Sequence, residues 1–66
     1  MKKLQQLISD HRLIAGEVFH ELNELNQIDL SRFSDNHAED IKQSIDNLEK
    51  EYNLRKVFIS ELETLL

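Results

Sequence analysis

The chain reads as all-α, an antiparallel two-helix hairpin, on three observations. Proline is absent and Gly16 is the single glycine among 66 residues, whereas strands in a sheet must be joined by glycine, proline or Asn-Gly turns. The abundant Leu, Glu, Lys and Gln are good helix formers. Apolar residues recur at spacings of three and four along two long stretches, which is the period of one helix face.

The first helix is expected over about residues 3–27. Leu4, Leu7, Ile8, Ile14, Ala15, Val18, Leu22 and Leu25 make a single stripe, and His11 falls within it. Asp10, Glu17, Glu21 and Glu24 occupy the opposite flank and read as a solvated acidic face. After this stripe comes "NQIDLSRFSDN", the one break in the pattern. Ser34, Asp35 and Asn36 each have the short polar side chain that caps a helix N-terminus. Asn36 with Glu39 three residues later fits a capping box, and Glu39 and Asp40 would then face the positive end of the helix dipole. Ile28, Leu30 and Phe33 are too apolar for a free linker, so a plug over the end of the hairpin is expected, with a helical turn at Asp29–Arg32.

The second helix is expected over about residues 36–66. Ala38, Ile41, Ile45, Leu48, Tyr52, Ile59, Leu62 and Leu66 follow an alternating three-four coiled-coil spacing, broken by Arg55. Asp46 with Lys50 and Glu51 with Arg55 are acid-before-base pairs at i,i+4, each worth about 0.2–0.5 kcal/mol. So short a connection favours antiparallel neighbours. A turn centred near residue 31 puts Leu25 against Ala38, Val18 against Ile45, Ile14 against Leu48 and His11 near Tyr52, with Arg55 near Leu7 and Ile8. Helix 2 is the longer, so "ELETLL" is expected to overhang its partner.

Residues 1–66 form one domain, and a core this small supplies only about 3–5 kcal/mol unless something staples it. No cysteine is present, which leaves helix packing, oligomerisation or a partner protein. Thirteen acidic residues against eight basic ones give a net charge of -5, and such a surface repels phosphate backbones, which argues against nucleic-acid binding. The opening "MKKLQQLISDH" lacks the continuous apolar stretch of a signal peptide. No run approaches the ~18 apolar residues of a membrane span. A cytoplasmic chain with no membrane contact is the expectation.

One hairpin buries one stripe per helix, and apolar residues remain outside it. Leu54, Val57, Phe58 and Leu65 form a second line along the last third of helix 2, while Leu13 and Phe19 lie off the stripe of helix 1. A line of four exposed apolar residues points to a protein–protein contact. These six residues are the candidate partner-binding set. Either two hairpins pair as a homodimer into a four-helix bundle, or the face docks on a different protein.

No catalytic constellation is visible. Ser9, Ser31, Ser34, Ser44 and Ser60 have no partnered histidine, there is no glycine-rich phosphate loop, and two helices offer little concavity for a small-molecule substrate. Glu17 and His20 have the Glu-x-x-His spacing of di-metal bundles, but there the pair points inward toward further carboxylates. Here both residues lie off the stripe and helix 2 offers no inward acid, so no metal and no cofactor are expected. His11, on the apolar stripe, reads as a boundary residue able to hydrogen-bond Tyr52 or a carboxylate, or as a pH-responsive contact. Arg55 reads as an ion-paired boundary residue, with Asp10 and Glu51 as candidate partners, and His37 as a surface residue.

Two resemblances carry functional implications. Lys42-Gln43-Ser44-Ile45-Asp46, with Leu48 and Tyr52 beyond it, resembles the Ser-Gln-Glu-Leu-Asp motif of small sporulation aspartyl-phosphate phosphatases, which are also acidic helical hairpins. Gln43 and Asp46 match and Ile45 is conservative, while Lys42 replaces the motif serine and Ser44 its glutamate. That resemblance implies phosphatase action on a phosphorylated response regulator, with Gln43 and Asp46 facing the phosphorylated aspartate. By size and architecture the chain also looks like two-helix co-chaperones of type III secretion systems. The residues themselves point to a small acidic, non-enzymatic interaction module, an adaptor, chaperone or inhibitor that binds protein through an apolar helical face.

Overall fold

The computed structural model describes residues 2–66 as α1 (Lys2–Asn26), a 3-10 turn (Leu30–Arg32) and α2 (Asp35–Glu63), with no strand among them. The chain is an all-α helical hairpin, a rod of 51 × 14 × 12 Å. The connection is too short for anything but side-by-side antiparallel packing.

α1 has no acidic residue in its first turn and no basic residue in its last, so the helix dipole goes uncompensated at both ends. Its order rests instead on the stripe it buries against α2. α2 is better started. Ser34 is its N-cap, with extended backbone at φ -62 and ψ 159, and its side chain accepts from the His37 N–H. Asn36 is already inside the helix, so the expected Asn36–Glu39 capping box does not form. Position N3 is His37, which cannot return the bond as a glutamate would. The first-turn acid is Asp35 rather than Glu39 or Asp40. At the other end, helix stops at Glu63, short of the expected 66. The Thr64 hydroxyl donates to the Glu61 carbonyl at 2.6 Å, a local bond that competes with continuing the helix.

The connection has the expected helical turn, built on Asp29. Its carboxylate accepts from the Ser31 hydroxyl at 2.6 Å and from the Ser31 N–H at 3.1 Å, and Arg32 Nε lies 3.6 Å away. Ile28 and Leu30 are half-buried and act as the plug, whereas Phe33 is exposed.

The core is displaced relative to the expected register. His11 lies against Arg55 and Phe58, one to two turns beyond Tyr52, and Tyr52 instead meets Phe19. Arg12 reaches Glu63 at 2.7 Å. Turning the chain symmetrically about residue 31 fails because the connection does not reverse at once. It runs back along the first turns of α2, against which the 3-10 turn packs. α2 therefore overhangs at the connection end, and "ELETLL" does not overhang: Leu62 is buried with Ile8, Ala15 and Ile59, and Leu4 packs on that cluster. Val18 and Leu22 are also buried, while Ile41, Ile45, Leu48 and Leu25 are only half-covered. The best-packed region is thus the open end, remote from the connection.

Of the two expected i,i+4 pairs, Glu51–Arg55 closes at 2.9 Å and Asp46–Lys50 does not. No helix among the described residues is long and apolar enough to cross a membrane.

Gly16 sits mid-helix without positive φ, and a Cβ there would meet nothing within 4 Å. Gly16→Ala is expected to stabilise the hairpin by about 1 kcal/mol through helix propensity alone, read as a raised midpoint in urea unfolding. Asp29 supplies a pH dependence. The Ser31 hydroxyl bond, then the Ser31 N–H bond, hold its carboxyl below the ordinary aspartate range. The contribution of such a lowered group is complete above the unfolded-state value and is lost as pH falls through the folded one. Acid titration is expected to move the Ser31 amide resonance in that low window, and Asp29→Asn is expected to abolish the movement.

Candidate protein interface

At 3.6 residues per turn, each residue advances roughly 100° around its helix, and that phase sorts the exposed apolar residues onto distinct sides. Phe58 lies edge-on to His11, with ring centroids 5.0 Å apart, on one flank of the hairpin. Phe19 lies against Tyr52, with centroids 5.6 Å apart, on the other. Leu54 and Leu65, spaced four and seven residues from Phe58, share its flank. Leu54 lines a groove there with His11, Arg55 and Phe58.

The six candidate residues are all exposed, but they do not form one surface. Leu54 and Phe58 line one groove, with Leu65 further along that side in the turn after α2. Val57 turns to the back edge of α2, beside Lys56, Ser60 and Glu61. Leu13 points directly away from the core, beside Glu17 and His20. Phe19 belongs to the opposite flank, where a groove runs past Gly16, Tyr52 and Lys56, with the Lys56 ammonium 5.4 Å from the Tyr52 ring centroid.

Two residues that sequence reasoning placed in the buried stripe belong to the first flank instead. Leu7 and Ile14, seven apart on α1, remain 40% and 36% exposed. Their signal was available in the phase: Ile8, Ala15 and Leu22 define the centre of the buried stripe, and Leu7 and Ile14 fall well to one side of it. The flank therefore presents Leu7, Ile14, Leu54, Phe58 and Leu65, drawn from both helices and confined to the open half of the rod. Toward the connection the same heptad columns turn polar on both helices, to Glu21 on α1 and to Glu51 and Ser44 on α2.

A polar cluster is set into the edge of this patch. Arg55 donates from Nη1 to His11 Nδ1 at 2.8 Å and from Nη2 to Glu51 at 2.9 Å. Arginine has donors only, so Nδ1 is the acceptor and the His11 proton resides on Nε2. Neither Tyr52 nor a carboxylate is the partner of His11, because the register brings Arg55 there first. Asp10 is likewise not a partner of Arg55; it accepts from Gln6 at 2.8 Å. The Arg55 side chain is only 19% exposed, and its buried Nε–H finds no acceptor.

The other candidate positions are separate. Glu17 and His20 are exposed, and His20 Nε2 faces Glu24 at 3.0 Å. No group of three His, Cys, Asp or Glu side chains suited to a metal occurs among the described residues. Gln43 and Asp46 stand exposed beside Glu39 and Lys42 near the connection, far along α2 from the apolar patch. His37 is exposed. No protein-family model, curated protein or solved structure matches the chain.

The His11–Arg55 contact is testable by a double-mutant cycle. His11→Leu alone leaves the Arg55 Nη1–H without an acceptor and is expected to cost about 1–3 kcal/mol. His11→Leu combined with Arg55→Leu is expected to be as stable as the parent, since apolar replacement of both partners removes the unmet bond. Urea unfolding of the parent, the two single variants and the pair checks this, and additive changes would contradict the assignment.

Proposed function

We propose that the protein is a non-enzymatic interaction module that binds another polypeptide through the flank carrying Leu7, Ile14, Leu54, Phe58 and Leu65. One observation carries this reading: five large apolar side chains from two helices lie on one side at one end of the rod, on the order of 500 Å² of exposed surface, near the upper range for a monomer's largest patch. Isolated exposed leucines need no explanation, but a two-helix patch with a polar boundary does. Helix-on-helix packing supplies the affinity. The acidic remainder of the surface governs encounter and partner choice. An adaptor, a chaperone or an inhibitor would each use such a patch.

Phosphatase action through Gln43 and Asp46 is the competing reading, resting on the motif likeness alone. The two readings use opposite halves of α2, so they separate cleanly. A photo-crosslinking residue at Leu54 is expected to give a covalent adduct with protein in the host cell, while the same residue at Asp46 or Leu13 gives none. Adducts from Asp46 in place of Leu54 would favour the phosphatase reading. No adduct from Leu54 would remove the interface.

A further inference from the structure

We infer that His11 and Arg55 form a proton-operated latch across the hairpin: the neutral His11 ring holds the Arg55 side chain in the seam, and protonation of that ring releases it. The latch goes beyond the interface reading above and stands without it.

The contact exists in one protonation state only. Arg55 Nη1 lies 2.8 Å from His11 Nδ1, and every guanidinium nitrogen is a donor. Nδ1 must therefore keep its lone pair free to accept. A second proton makes both ring nitrogens donors, which sets donor against donor and cation against cation at that distance. Histidine changes charge between about pH 5 and 8, so the event falls in an ordinary aqueous range.

Neighbouring charges do not offset the added one. From α2 the charged groups facing the ring are Arg55, Glu51 and Lys50, which line one groove with it. Arg55 and Glu51 already cancel each other at 2.9 Å, so a charged His11 adds a cation to a neutral pair with a lysine alongside. On α1 the residues one turn away on either side are Leu7, Ile8, Ile14 and Ala15, and the adjacent Asp10 accepts from Gln6 at 2.8 Å. A charged ring that turned to Glu51 would take the carboxylate from Arg55, and the Nη1 bond would be lost by that route as well.

Arg55 is poised to leave. Its buried Nε–H has no acceptor, and without His11 the guanidinium keeps only its bond to Glu51, a half-exposed side chain that can follow it outward. The buried cluster of Ile8, Ala15, Ile59 and Leu62 uses none of these three side chains, so the latch opens in a hairpin that stays folded. Opening alters the flank beside it. The Phe58 ring packs at a near right angle to the His11 ring, and Leu54 and Phe58 line the groove in which Arg55 lies. His20 and His37 are exposed, so His11 is the histidine placed to act between the helices.

Nitrogen and carbon NMR of the isotope-labelled chain, taken from about pH 8 to pH 5 where imidazole titrates, tests the latch, with helical circular dichroism followed in parallel. At the alkaline end the His11 ring is expected to carry its proton on Nε2. On acidification the His11 ring nitrogens, the Arg55 guanidinium nitrogens and the Phe58 ring carbons are expected to shift with one shared midpoint, and the helical signal to hold. His11→Gln offers an oxygen that accepts from Arg55 and takes up no proton, so its Arg55 and Phe58 resonances are expected to stay still. His20→Gln is expected to respond as the parent does. A proton on Nδ1 at the alkaline end would overturn the latch, as would a His11 ring that gains its charge while Arg55 stays still, or one that remains neutral at the acid end. Movement that persists in His11→Gln, or that coincides with loss of helix, would overturn it too. The parent titration is decisive even if the glutamine variant does not fold.

Discussion

Ile8 and Ala15 on α1 close against Ile59 and Leu62 on α2, and the rest of the hairpin is arranged around that contact. Two helices side by side can cover only one stripe each, and here even the best-covered side chains stop short of complete burial. With no disulfide available, the cluster must hold α1 in register with little help from its own ends, which lack complementary charges. Ala15 is part of the reason it succeeds. A small residue at the centre of the stripe lets the helices approach, and the larger Ile8, Ile59 and Leu62 fill the space on either side. The position of this cluster near the open end also sets what each helix leaves uncovered.

Why the helices were legible and their register was not has a physical explanation. Periodicity reports which residues share a face, and it was sufficient to predict two helices and the outward placement of Glu17 and His20, while the turn at Asp29–Arg32 was legible from the apolar Ile28, Leu30 and Phe33 in the break between them. Register depends on how much chain the connection consumes before the helices meet, and nothing periodic encodes that. The Asp29–Ser31 bonds fold the connection into a turn that runs back along α2, and the displacement carries His11 from Tyr52 to Arg55 and Phe58. The same displacement explains why "ELETLL" is level with the start of α1. The capping box was misplaced for a local reason: three consecutive residues could cap, and the extended backbone at Ser34 decides among them.

For the candidate site, exposure was legible and grouping was not. Leu54, Phe58 and Leu65 were correctly separated from the heptad, but a position off the heptad can face any of several directions. Val57, Leu13 and Phe19 show the spread, each pointing to a different side of the rod. The contribution of α1 was hidden for the opposite reason. Leu7 and Ile14 fit a spacing of three and four, so they merged with the buried stripe although their phase sets them on its edge. A stripe wider than two opposing helices can cover is itself a sign that part of it serves another surface.

The Arg55–His11–Glu51 cluster stands where those two surfaces divide. A wholly apolar flank at this height would continue toward the connection and let a partner slide along the rod, since apolar packing has little directional preference. Glu51 ends the apolar column immediately below Phe58, and Arg55 ties that carboxylate to the hairpin seam through His11. Moving a partner further down would cover the Glu51 charge and remove its remaining water, a cost that rises steeply with burial. The arginine itself is poorly satisfied, with a buried Nε–H lacking an acceptor, so the cluster is a weak contributor to stability. Its stronger consequence is positional: Arg55, which interrupts the heptad, and the His11 and Glu51 side chains it holds confine the apolar patch to one half of the molecule.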